Sequence, residues 1–170
     1  MAEKDVILTG ITVSYTGLFN YADLYRLIDA WLIERGYDCK EGKHTETVTP
    51  DGKSIEVSLE PTKGLADYAR CILKVKIAAS KLKDVTITLD GTKQKINSGT
   101  VTVTIDGLLE TDYEGRWEGR PMFVFFKILY DKYIFKTFTG GFEKLIKHDV
   151  ESLRDQIKGY LNLERVRTPA

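Results

Sequence analysis

With 170 residues, 25 basic and 25 acidic side chains and an apolar fraction of 42%, the chain has the composition of one globular domain. Even charge excludes a general polyanion binder, and the hydrophobic content excludes a disordered chain. A chain of this size buries roughly 70% of its unfolded surface, enough to hold a core without metal or disulfide. We therefore read residues 1–170 as a single α+β domain, with 164–170 as a frayed tail.

The first segment, Val6 to Tyr15, mixes β-branched residues with alternation and predicts a strand that Gly17 breaks. Asn20 is placed to cap a helix with Asp23 in its first turn. Leu24, Leu27, Ile28, Trp31 and Leu32 follow the spacing of one helix face, over Tyr21–Arg35, and Gly36 supplies the left-handed stop. Residues 38–49 and 53–60 flank Pro50-Asp51-Gly52, a turn in which Pro fixes φ and Gly permits a positive one. Alternation then predicts strands over about Asp67–Ala79, at Val85-Ile87-Leu89 ending on Asp90-Gly91, and at Val101-Val103-Ile105. Regular alternation of this kind means antiparallel strands with one dry and one wet face.

The chain then changes period. Pro121 suits the first turn of a helix, and Phe123, Phe126, Tyr130, Tyr133 and Ile134 keep helical spacing to about Phe138. Gly140-Gly141 is expected to stop or kink that helix, and a further one is expected from Phe142 to Leu161. The expected order is β-α-β-β-β-β-β-α-α: a single antiparallel sheet of about six strands, packed against one N-terminal and two C-terminal helices.

This order, carried by Val6–Tyr15, Tyr21–Arg35, the strands ending near Glu114 and the helix Phe142–Leu161, resembles the helix-grip superfamily of START and Bet v 1-like proteins. The resemblance implies a curved antiparallel sheet wrapped around a long C-terminal helix and an apolar cavity. It carries over no site residue. The superfamily has two short helices after its first strand, where one long helix is expected here.

Chemistry-bearing residues are sparse. Cys39 and Cys71 form no CxxC or Cys/His ligand set, so no zinc site is expected. Cys71 falls in an apolar alternation and reads as a buried free thiol, in keeping with a reducing cytoplasm. The N-terminal residues carry no signal-peptide pattern, and no apolar run approaches the ~20 residues of a membrane span. His44 and His148 lack partners at ligand spacing and read as surface. No nucleophile, nucleotide-binding or metalloprotease motif occurs, so neither an enzyme nor a cofactor is expected. Glu110, Asp112 and Glu114 would share a strand face. They could hold a hard cation, but the same face offers Arg70, Lys74 and Lys76 as cross-strand partners, and we expect pairing and no metal.

Two features suggest binding. Trp117, between Arg116 and Arg120 in a glycine-flanked loop, is either an interface anchor or core under the sheet rim. Phe123, Phe125, Phe126, Tyr130, Tyr133, Phe135 and Phe138 crowd one segment. They are either buried between sheet and last helix, or line a ligand cavity, or face a partner. The leading expectation is a non-enzymatic cytoplasmic protein holding a small apolar or amphipathic ligand between sheet and helix. Phe123, Phe126, Tyr130 and Tyr133 would give contact area, and Arg116 or Arg120 would meet an acidic head. The alternative is a protein-interaction or homodimerisation module using Trp117 and the helix 121–138. Nucleic acid is disfavoured, because Lys74, Lys76, Lys81, Lys83, Lys93 and Lys95 are interleaved mostly with Thr and Ile, not with stacking aromatics.

Overall fold

The computed structural model describes residues 3–39, 41–111, 128–129 and 136–167. Its elements are β1 (Glu3–Phe19), α1 (Tyr21–Glu34), β2 (Glu41–Thr49), β3 (Gly52–Leu59), β4 (Thr62–Ala66), β5 (Ala69–Leu89), β6 (Thr92–Thr111) and a long helix, here α2, over Lys136–Arg167. The six strands form one antiparallel sheet in the order β1-β6-β5-β3-β2, with β4 on the same edge of β5 as β3. The expected architecture therefore holds in its α+β class, its strand number and the position of the long C-terminal helix. Its helix count does not.

The described helices are two, not three. Gly140 and Gly141 lie inside α2, whose hydrogen-bonded ladder runs through both. Each glycine costs a helix roughly 1 kcal/mol relative to alanine, which penalises a turn without forbidding it. The apolar stripe Ile146, Val150, Leu153, Ile157 and Leu161, all buried, anchors the helix that the glycines were expected to break. Of the segment 121–135 only Ile128 and Leu129 are described, and both are helical and exposed.

Strand boundaries also differ from the alternation. Gly17 does not end β1, which continues to Phe19 opposite Asn97. The expected strands over 67–79 and 85–89 are one strand, β5, bent by a bulge between Ser80 and Lys83. The short β4 is an extra piece set off from β3 by Glu60 and Pro61. Pro61 has no N–H for a ladder, yet its carbonyl accepts from Leu73 N at 2.9 Å, keeping the chain against β5. The strand number agrees because this unrecognised piece offsets the strand that was split.

The bulge marks a crease across the sheet. Lys81 takes φ +55°, an uncommon conformation for a residue with a side chain. Its flanking strands accommodate it with glycines: a Cβ on Gly52 would lie 2.9 Å from Lys81 C, and one on Gly99 would lie 2.8 Å from Ser80 O. Gly99 in turn faces Gly17 on β1. Bulges raise local twist and bend a strand, so this line of small residues lets the sheet turn around its helices. Beyond the crease β5 and β6 continue as a two-stranded arm closed at Asp90-Gly91. There φ values of +50° and +79° are those of a type I′ hairpin.

Helix α1 starts and stops as its sequence dictates. Asn20 Oδ1 accepts from Asp23 N at 3.2 Å. At the other end Tyr37 N donates to Leu32 O and Gly36 N to Ile33 O, a Schellman cap with Gly36 at φ +79°. Leu24, Ile28, Trp31 and Leu32 are buried against the sheet. An Asn20→Ala variant is expected to lose about 1 kcal/mol of stability, read as a lower urea midpoint at unchanged slope. The opposite sheet face is wet: Thr12, Ser14 and Thr16 meet Thr104, Thr102 and Thr100 across β1 and β6 at 3.5, 3.2 and 3.0 Å.

Candidate functional site

A buried polar cluster begins at the Schellman cap. The left-handed turn at Gly36 carries Tyr37 inward, where it is 4% exposed and stacks on Trp31 with ring centroids 6.2 Å apart. Its hydroxyl donates to Asp149 Oδ2 at 2.8 Å and lies 3.4 Å from Cys71 Sγ. Asp149 is itself buried on α2, and its other oxygen lies 3.5 Å from Arg35 Nη1. Arg35 also donates to Ser152 Oγ at 3.3 Å and lies over the Trp31 ring. Lys63 Nζ sits 5.3 Å from the centre of the Tyr37 ring.

Helix α1, helix α2 and strand β5 are thus tied together by one carboxylate and its partners. Chemically the cluster is quiet. Burial, then Cys71, then Asp149 push the Tyr37 phenol far above its ordinary range. Burial pushes the Cys71 thiol up to about 11. A nucleophilic cysteine needs the opposite shift. The arrangement serves packing and registration of the helices, and neither group is activated near neutral pH.

Two measurable consequences follow from the thiol. Native protein near pH ~8 is expected to show Cys71, 0% exposed, inert to a thiol reagent such as Ellman's, and to release it for reaction only on unfolding. Because the folded pKa of about 11 exceeds the ordinary 9.0, burial of the neutral thiol contributes stability below the lower value. That contribution falls away as pH rises through the higher one.

At the far end of the sheet Glu110, 3% exposed, pairs with Arg70 through a short contact and with Lys4 Nζ at 3.7 Å. Arg70 and Glu110 are direct cross-strand neighbours. The carboxylate expected to pair rather than bind a cation does pair; Asp112 and Glu114 lie outside the described residues. No group of three metal-ligating side chains occurs among the described residues. Lys74 and Lys76 are likewise engaged, with Glu60 at 3.9 Å and Glu56 at 2.7 Å, which breaks the basic stripe. His44 and His148 are exposed.

Concave features lie on both layers. An open groove of about 600 Å³ runs between α1 and α2, lined by Leu27, Glu151, Asp155, Tyr160 and Leu163 among others. A smaller crevice of about 260 Å³ lies between the first turn of α1 and the sheet, lined by Tyr21, Ala22, Lys53, Ile55, Leu82, Asp84 and Asn97. At Gly107 the sheet meets α2 closely. A Cβ on Gly107 would stand 2.7 Å from Ile146 Cγ2 and 3.1 Å from Val150 Cγ2.

The residues nominated from sequence, Arg116, Trp117, Arg120, Phe123, Phe126, Tyr130 and Tyr133, all lie outside the described residues. The groups that sequence reasoning passed over are Asp149, Tyr37 and Arg35. A signal existed for Asp149: it stands three residues after Ile146 and four before Leu153, so a carboxylate interrupts the apolar stripe of α2. None of the described helices is long and apolar enough to cross a membrane. The chain matches no protein-family model, no curated protein and no solved structure.

Proposed function

We propose that this chain is a non-enzymatic binding protein that holds a small apolar or amphipathic ligand between its sheet and a helix. The observation that carries this reading is the crevice of about 260 Å³ between α1 and strands β3, β5 and β6. Its walls join the apolar surfaces of Tyr21, Ala22, Ile55 and Leu82 to the polar groups of Lys53, Asp84 and Asn97. At Gly107, where Ile146 and Val150 seat closely, the contact of α2 with the sheet leaves no space for a ligand. The residues named from the sequence, Phe123, Phe126, Tyr130 and Tyr133 for contact area and Arg116 or Arg120 for an acidic head, belong to the segment that leaves the opposite end of the sheet after Thr111, so they would serve a separate site of the same kind and not this crevice.

Native mass spectrometry of the full chain, purified under non-denaturing conditions from its own cells, is expected to show a small molecule that leaves on denaturation. An adduct-free spectrum, together with no saturable amide shift at Ala22, Ile55 and Leu82 on titration with ethylbenzene, overturns the reading.

One observation favours a second reading, a protein-interaction or homodimerisation module. Ile128 is 58% exposed and Leu129 39%, apolar surface inside the aromatic segment that also carries Tyr130 and Tyr133, with Trp117 upstream. Under that reading light scattering gives a mass above the monomer, and Ile128→Glu returns it to the monomer. A monomer at high concentration, together with no protein captured through this surface, removes it.

A further inference from the structure

The bulge that creases the sheet also brings two lysines to one depression on its wet face. Ser80 faces Thr100 and Lys83 faces Ser98, so Lys81 and Leu82 share the position opposite Gly99. Leu82 is buried in the core. Lys81 and Lys83, with Asp51 and the hydroxyl-bearing Thr16, Ser98 and Thr100, line an open depression of about 480 Å³. Other lysines of the sheet, Lys53, Lys74 and Lys76, each pair with a glutamate. Lys81 and Lys83 pair with no carboxylate among the described residues.

Lys81 occupies its place at a cost. Its φ of +55° is left-handed backbone, which strains a residue with a side chain, and glycine is the usual occupant of a left-handed position in a bulge. The other such residue, Asp90, sits beside Gly91 in a hairpin turn that itself requires positive φ and accepts Asp there. Lys81 lies within β5 and in no turn. What glycine could not supply at this position is an ammonium group. Bulges serve to re-aim side chains beside sites, and this one brings Lys81 to the same depression as Lys83.

We propose that this depression binds a phosphate group. Two ammonium groups supply point charges for its oxygens, and charge-assisted hydrogen bonds of this kind are the strong ones. Thr16 and Thr100 share one hydrogen bond at 3.0 Å, which leaves one of their two protons, with that of Ser98, to donate. Asp51 selects among anions. Near pH ~6 inorganic phosphate and much of a phosphate monoester carry a proton, which a carboxylate accepts, whereas sulfate carries none and meets repulsion. The phosphate is either the free ion or the end of a small soluble ester. This site lies on the sheet face away from the helices and does not rest on the crevice.

The test titrates inorganic phosphate, glycerol 3-phosphate and sulfate into the full chain at pH ~6 and constant ionic strength, following the amide shifts of Gly17, Lys81 and Gly99. A saturable shift is expected with phosphate, and the tighter of the two phosphates names its source. Sulfate is expected to bind at least about tenfold more weakly. Lys81→Gly is expected to weaken phosphate about tenfold, the worth of one charge-assisted hydrogen bond. Its urea midpoint should be unchanged or higher, since the strained side chain has gone. Lys93→Ala, on the hairpin arm outside the depression, is expected to leave the affinity as it was. No saturable shift with either phosphate, sulfate bound as tightly as phosphate, or an affinity that survives Lys81→Gly overturns the proposal. So does an equal loss in Lys93→Ala, which would show only the general charge of the surface.

Discussion

Asp149→Ala is expected to be among the most damaging single substitutions in the described chain, costing about 3 kcal/mol of stability. The carboxylate is 2% exposed and serves a phenol and a guanidinium at once. Truncation leaves the Tyr37 hydroxyl inside the core with only a thiol beside it, and it unties Arg35 from α2. The loss stays at the low end of the range for a broken buried pair because Arg35 keeps 38% of its side chain in solvent, where water takes over part of the lost interaction. Tyr37→Phe, which removes the donor and its need together, should cost less, about 1 kcal/mol. The double variant should cost less than the two single losses combined, because both delete the same hydrogen bond. Urea unfolding at unchanged slope reads all of these. A loss under about 1 kcal/mol for Asp149→Ala would show that the carboxylate is not what joins the helices.

Gly107→Ala is the second. The added methyl would meet Ile146 Cγ2 at 2.7 Å and Val150 Cγ2 at 3.1 Å. Both are β-branched residues on a helix, where one rotamer dominates and the side chain cannot turn aside. Either α2 lifts from the sheet or the strand shifts, and overpacking of this kind typically costs 1–3 kcal/mol. The diagnosis is testable by a cycle. Ile146→Ala alone should cost about 2–5 kcal/mol through its cavity, while Gly107→Ala in that background should cost clearly less than in the wild type. Strict additivity would mean that the glycine is required for some reason other than the seat of α2.

Much of the fold was legible in the chain because it is written locally. The cap at Asn20, the face Leu24-Ile28-Trp31-Leu32, the stop at Gly36 and the hairpin signals Pro50-Asp51-Gly52 and Asp90-Gly91 each concern residues within a few positions of one another. Alternation marked the sheet and its dry face, and placed Cys71 in the core. What alternation cannot mark is continuity. The bulge at Ser80–Lys83 adds one residue to β5 against β6, and the mostly polar run Ser80-Lys81-Leu82-Lys83-Asp84 that carries it reads as a gap between two strands, just as Thr92-Lys93-Gln94-Lys95 reads as loop although the hairpin arm continues through it.

The glycines show the same boundary from the other side. Composition suggested that Gly17 ends a strand and that Gly140-Gly141 ends a helix, yet the first is needed in the crease and the second pair is carried through by the packed stripe that follows. In both cases long-range burial outweighs a local preference worth roughly 1 kcal/mol. The candidate sites lie wholly on that side. Tyr37, Cys71 and Asp149 are separated by 34 and 112 positions from the phenol outward, and Tyr21 meets Asn97 across 76. The sequence by itself determined the α+β class, the wet and dry faces and the first helix with both its caps. Only the tertiary structure decided which polar groups share the interior and which surface groups share a depression, because those facts depend on distances between residues that no local pattern relates.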